Sequence, residues 1–181
     1  VATQPMKTSA RSGSESAHLA VLMALASAEG HVRISMAYFV PNQLAIDQFL
    51  QLRERGVTVE IVLPGEHQDV TMVRHASRQA WGPLLEAGVR IFEYEPTMYH
   101  PKVLIVDEGF ASIGSVNFDE RSFRLNDELN VNVYDAEFAR TQIDIFEADL
   151  ALSREVTLAE WEARPLRQKL LDRFWSLFES Q

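Results

Sequence analysis

His100 and Lys102 stand two residues apart in the run "YHPKVLIVD", and a Gly114-Ser115-x-Asn117 turn follows. An imidazole serves near neutral pH as a nucleophile or as a proton donor and acceptor. An ammonium and a carboxamide donate hydrogen bonds. Together these groups suit a phosphate ester, whose nonbridging oxygens need fixed donors and whose phosphorus accepts a nitrogen nucleophile. There is no His-x-x-x-His and no paired-carboxylate spacing on a helix, so the sequence points to no metal and no cofactor. Neither half of the pattern means much alone, since Gly-Ser-x-Asn is often only a turn. The two halves at fixed intervals are what carry chemistry.

Positioning these groups requires a sheet. Side chains alternate along a strand, so His100, Lys102, Leu104 and Val106 share one parity and Asp107 has the other. Ser115 and Asn117 share a parity again, and strands paired in register bring the four polar groups to one end of the sheet. Residues 1–13 lack periodicity and read as a flexible lead-in, followed by a single domain over 14–181. Leu19, Leu22, Met23 and Ala26 recur at helical spacing, then "HVRISMAYFVP" reads as a strand. Asn42 caps a helix that ends at Arg55-Gly56, "VTVEIVLPG" is a second strand, and Asp69 is positioned to cap a third helix that stops at Gly88. "VRIFEYE" follows as a strand, then a hairpin with a Glu108-Gly109 turn, the strand "ELNVNVYD", and helices over 136–150 and 157–180. This alternation predicts an α/β/α sandwich with a mixed, largely parallel central sheet.

Composition bounds the function. The chain has 181 residues, a formal net charge of −9 and no cysteine, which excludes disulfides and thiolate metal sites. The acidic balance argues against non-specific nucleic-acid binding and against simple attachment to an anionic membrane. No apolar run approaches the ~20 residues that span a bilayer. The first residue is Val, as expected of a piece of a longer protein or a processed chain.

His100, Lys102, Asp107, Gly114, Ser115 and Asn117 match the spacing H-x-K-x4-D-x6-G-S-x-N, which resembles the signature of the phospholipase D superfamily. "AYFVPNQ", "GVTVEIVLPG", "GVRIFEYEPTMYHPK", "GSVNFDERSFRLNDELNVNVYD" and Trp161-x-x-Arg164-Pro165 resemble the C-terminal half of bacterial cardiolipin synthases. The resemblance implies a two-lobed active site with one motif per lobe and no metal. One histidine forms a phosphohistidine, and the other protonates the leaving alkoxide and later deprotonates the acceptor. As a second lobe, this chain would supply the acid and base through His100. Lys102 and Asn117 would bind phosphoryl oxygens, with Ser115 supporting them. Glu128 would accept the Nδ1 proton of His100, as an acid orients the histidine of a hydrolase triad. Asp107 belongs to the motif, but its parity assigns it to structure.

Around this core, Phe39 reads as packing, while Tyr38 is placed to reach substrate. Arg74 and His75 read as solvent-facing, Arg121 and Ser122 as backbone support for the site loop, and His18, His31 and His67 as surface or loop residues. Leu166, Leu170, Leu171, Phe174, Leu177 and Phe178 form a broad apolar face on the last helix, expected to dock on this domain or on a missing lobe rather than to lie in a membrane interface.

The resemblance therefore leads to a phosphatidyltransferase that joins two phosphatidylglycerols and releases glycerol. Its partner is a second motif upstream or in a homodimer. The parent protein would sit at the cytoplasmic face of the bacterial inner membrane. A phospholipase D-type hydrolase, a homodimeric nuclease-like phosphodiesterase, and a lobe inert by itself are the competing readings.

Overall fold

The computed structural model describes residues 1–9 and 16–179, the last three in backbone only. Its strands are β1 (Ala2–Thr8), β2 (His31–Met36), β3 (Thr58–Pro64), β4 (Arg90–Tyr94), β5 (Lys102–Val106), β6 (Phe110–Gly114), β7 (Glu128–Tyr134) and β8 (Ser153–Val156). The helices are α1 (Ser16–Ala26), α2 (Gln43–Glu54), α3 (Thr71–Glu86), α4 (Glu120–Arg124), α5 (Ala136–Leu150), α6 (Leu158–Glu162) and α7 (Leu166–Glu179). All eight strands form one sheet in the order β1-β7-β6-β5-β2-β3-β4-β8.

Strand parity divides the core into two layers. Val32, Ile34, Val59, Ile61, Leu63, Ile91, Leu104 and Val106 face the layer that holds α1, α2 and α3. Val62, Phe92 and Ile105 point the other way, onto Phe146 of α5. The α/β/α sandwich is therefore present, and the sheet is mixed. It is not largely parallel: among the described strands, only β2·β3 and β3·β4 pair in parallel, and the other five pairings are antiparallel. The strand–helix alternation holds only from β2 to β4. After β4 the chain turns back: β5 lies antiparallel to β2, a hairpin joins β5 to β6, and β7 and β8 also enter antiparallel to their neighbours.

Local signals explain most of the boundaries. Asn42 Oδ1 accepts from Ala45 N at 3.0 Å and starts α2. Gly56 and Gly88, both at φ +83°, take the left-handed turns that end α2 and α3. Asp69 does not cap α3, whose N-cap is Val70 without a side-chain bond. The hairpin loop is longer than Glu108-Gly109, because Val106 opposes Phe110 and Asp107 joins the turn at φ 52°.

Some elements depart from the sequence expectation, the short helix α4 among them. The lead-in is not loose over Ala2–Thr8, which pairs residue by residue with β7. An edge strand needs no apolar alternation and tolerates Pro5, so periodicity could not reveal it. Residues 10–13 of the expected lead-in, and the first residues of the expected helix, lie outside the described residues. The helix expected over 157–180 is broken around Pro165, between the end of α6 at Glu162 and the start of α7 at Leu166. Strand β8, antiparallel to β4, also went unforeseen.

Helix α7 docks on α3, but with its polar side. Asp172 is fully buried and receives His75 Nδ1 and Arg164 Nη1, both at 2.7 Å. Leu166, Leu170 and Phe174 remain 78%, 69% and 49% exposed, so that face does not dock on this domain. Leu177 and Phe178 have no described side chains. Arg74 and His75 are likewise structural rather than solvent-facing, because Arg74 joins Arg78 and Arg154 on the buried carboxylate of Glu93. His18 is a core residue stacked on Phe123 at 4.5 Å, and His31 bonds Glu60 at 2.8 Å.

Candidate active site

Lys102 opens β5, and His100 precedes it just outside the ladder. Met36 of β2 lies opposite Lys102, and Ala37 N donates to Pro101 O at 2.9 Å. The same register sets Tyr38 opposite His100, and their rings meet edge to face with centroids 5.8 Å apart. The residue before His100 is fixed as well. Buried Tyr99 donates to Asp149 at 2.9 Å and stacks on Tyr94 at 4.6 Å.

Lys102 Nζ donates to His100 Nδ1 at 3.0 Å and to His100 O at 3.3 Å. An ammonium has three donors and no lone pair. Nδ1 is therefore the acceptor, and the proton of the neutral imidazole resides on Nε2. This corrects the expected bond from Nδ1 to Glu128. Glu128 lies at the start of β7, two strands from β5, where it accepts from Asn126 Nδ2 at 3.2 Å. Its charge reaches Lys102 through space. Burial lowers the Lys102 pKa, and Glu128, Asp69 and Asp119 oppose that fall.

Nε2 of His100 lies 3.9 Å from Asp69 Oδ2, and Tyr38 OH donates to that same oxygen at 2.6 Å. The Tyr38 bond is the main influence holding the Asp69 carboxyl below its ordinary pKa, with burial opposing and backbone bonds and His100 assisting. Sequence reasoning placed Tyr38 near substrate but missed Asp69. The one available signal was position: Tyr38 follows β2 and Asp69 follows β3. These strands are parallel neighbours whose C-terminal ends open on the same side, where α/β sheets gather ligand groups.

Asn117 shares a small cleft with Lys102, Val116, Phe118 and Asn130. It is 8% exposed, and its Oδ1 is buried with no hydrogen-bond donor among the described residues. Ser115 is tied to β7, with N donating to Leu129 O at 3.0 Å and Oγ accepting from Leu129 N at 3.1 Å. Its hydroxyl proton remains available. Gly114 leaves no room for a side chain, because a Cβ there would run into Leu129 O and Asn130.

Asp107 lies off the site, as its parity requires. It accepts from Gly30 N and His31 N at 2.8 Å and from Glu29 N at 3.1 Å, and so ties the hairpin to the loop between α1 and β2. Arg121 and Ser122 lie on α4, whose N-cap Asp119 accepts from Ser122 N at 2.7 Å. Arg121 also lines an open groove of about 760 Å³ with Val40, Pro41, Ile46, Ala76 and Leu125. That groove borders both the chain leaving Tyr38 and the chain leaving Asn117.

The family model described as cardiolipin synthase, PLD-like domain, matches residues 21–150. The chain belongs to the PLD-like domain family of cardiolipin synthases. Cardiolipin synthase A of Serratia proteamaculans is 35% identical over 164 residues, covering 91% of this chain and 34% of that protein. Cardiolipin synthase 2 of Bacillus anthracis is 36% identical over 153 residues, covering 84% of this chain and 30% of that protein. The chain thus spans about a third of the length of these curated relatives. Among solved structures, the phospholipase D family member Nuc from Salmonella typhimurium superposes with a TM-score of 0.73 at 24% identity, over 86% of this chain and 98% of that one. Phosphatidylserine synthase of Haemophilus influenzae superposes with a TM-score of 0.72 at 18% identity, over 98% of this chain and 46% of that one. At these identities the structural likeness establishes the PLD-like fold. In this PLD-like domain the matched region contains His100, Lys102, Asn117 and Asp69 together.

Proposed function

We propose that this chain is the C-terminal catalytic lobe of a phosphatidyltransferase of cardiolipin synthase type. It converts two phosphatidylglycerols to cardiolipin and glycerol through a phosphohistidine. The carrying observation is the Lys102–His100 Nδ1 bond beside Asn117, in a chain of the cardiolipin synthase family. With its proton on Nε2, His100 suits the acid and base role. The histidine of the other lobe's motif attacks phosphorus and forms an N–P bond. The P–O bond to glycerol breaks, and His100 Nε2 gives its proton to the leaving oxygen as Nδ1 takes one from the Lys102 ammonium, so the ring stays a neutral imidazole. Nε2 then takes the proton of the acceptor hydroxyl while Nδ1 returns its proton to Lys102, and the acceptor oxygen displaces the attacking histidine from phosphorus. Lys102 and the Asn117 amide, turned to present its NH2, hold the phosphoryl oxygens as charge builds on them. The parent protein works at the membrane surface on phosphatidylglycerol-like lipid; no described helix is long and apolar enough to cross a membrane.

The test supplies phosphatidylglycerol in mixed micelles and follows cardiolipin and glycerol, with His100→Ala as control. Loss of general acid–base help costs ~10²–10⁴-fold in rate, and addition of a chelator leaves the rate as it was. Cardiolipin formation by His100→Ala at the wild-type rate overturns the reading. A second reading is a phosphodiester hydrolase, nuclease-like or lipid-directed, in which two copies each supply one His100. It is favoured by the near-complete coverage of Nuc by this chain. Water-dependent cleavage whose specific rate rises with protein concentration distinguishes it.

A further inference from the structure

We infer that Asp69 and Tyr38 form an alcohol subsite, in which a hydroxyl-bearing headgroup is held against His100 Nε2. The inference rests on the reading above and assigns the residues that select the alcohol. His100 divides the cleft by charge. Lys102 occupies the Nδ1 side at 3.0 Å, and the Asp69 carboxylate faces the Nε2 side at 3.9 Å. That distance is too long for a hydrogen bond, and the Asp69 side chain is 40% exposed, so a ligand can reach it. Nε2 is the only ring nitrogen free to exchange a proton with an alcohol oxygen.

A phosphoryl oxygen is repelled by an ionised carboxylate, whereas a hydroxyl donates to it. The group beside Asp69 is therefore the alcohol portion of the diester. One hydroxyl exchanges its proton with Nε2, and a neighbouring hydroxyl donates to Asp69. Tyr38 donates its own proton to Asp69 Oδ2 at 2.6 Å, so its hydroxyl anchors the carboxylate and does not donate to the ligand. The anchored carboxylate thus presents an acceptor, which matches a polyol. An ammonium headgroup also matches a carboxylate, but it must approach within reach of the Lys102 charge on the far side of the same ring.

The test titrates the full chain, followed by amide NMR shifts, with three phosphodiesters: diethyl phosphate, 2,3-dihydroxypropyl ethyl phosphate and 2-aminoethyl ethyl phosphate. The dihydroxypropyl ester binds about tenfold more tightly than diethyl phosphate, the value of one hydrogen bond to a charged acceptor. Asp69→Asn brings that ratio close to one. Tyr38→Phe, which keeps the ring but releases the carboxylate, lowers it at least ~3-fold, a hydrogen bond's worth. A preference that persists in both variants, or an aminoethyl ester that binds best, overturns the inference and leaves the phosphodiester reading standing. Failure of all three esters to shift Lys102 and Asn117 in the wild type overturns both.

Discussion

With an ammonium rather than a carboxylate against Nδ1, His100 presents a protonated Nε2 to the open cleft. Lys102 therefore does two things: it grips phosphate and it sets the tautomer. Lys102→Met is expected to reduce turnover by ~10²–10⁴-fold and to move the imidazole proton toward Nδ1, which ¹⁵N shifts of the ring report. Arginine is a poor substitute, because its planar fork does not reproduce a point donor. Burial lowers the Lys102 pKa, and the ammonium is the working form. The alkaline limb of the rate profile is accordingly expected below the usual lysine value of about 10.4, and a limb at or above that value contradicts the assignment. His100, Lys102 and Asn117 were legible from type and spacing, and the structural role of Asp107 from parity. Asp69 was not, because its contact with Tyr38 spans 31 residues and arises only when two loops meet above adjacent strands. Glu128 was misplaced for the same reason: its distance from His100 depends on strand order, which spacing does not encode.

Asp107 also supports a stability prediction. Burial raises its pKa, and the backbone N–H groups of His31, Glu29 and Gly30 outweigh that effect, so the folded value lies below the ordinary one. A depressed carboxylate stabilises the fold above its unfolded pKa of about 3.9 and loses that contribution as pH falls through the folded value. Asp107→Ala is expected to cost about 2–3 kcal/mol at pH 7 and less at pH 2, measured as the shift in urea midpoint at each pH.

At the level of elements, β2 to β4 and their helices followed from apolar alternation and cap residues, and α5 matches the expected 136–150. Periodicity was misleading for α7. Its apolar stripe is real in sequence, but the surface of α3 that receives the helix offers His75, and a buried Asp172 answers it. Removing one partner of such a buried pair costs ~3–5 kcal/mol, so Asp172→Ala is expected to lower the thermal midpoint strongly. Leu170→Gln, at 69% exposure, is expected to change stability by less than ~0.5 kcal/mol. The reverse order in a thermal melt would mean that the helix seats on its apolar side. Gly114→Ala is a third case. Its Cβ collides with the β7 backbone and Asn130, and overpacking of this kind costs ~1–3 kcal/mol, measurable by denaturant titration.

On the scale of the whole molecule, one sheet carries a deep helical layer on one face and a single helix, α5, on the other. The reactive groups collect where β2, β3 and β5 open toward one rim. The opposite rim is held by Asp107, which joins the hairpin to the chain entering β2. This arrangement bears on how mutational surveys of the chain are read. A survey that scores only lost turnover would rank Asp107 beside His100, although the two sit at opposite ends of β5 and fail for different reasons. Measuring the surviving folded population alongside rate would separate the anchor from the reagent.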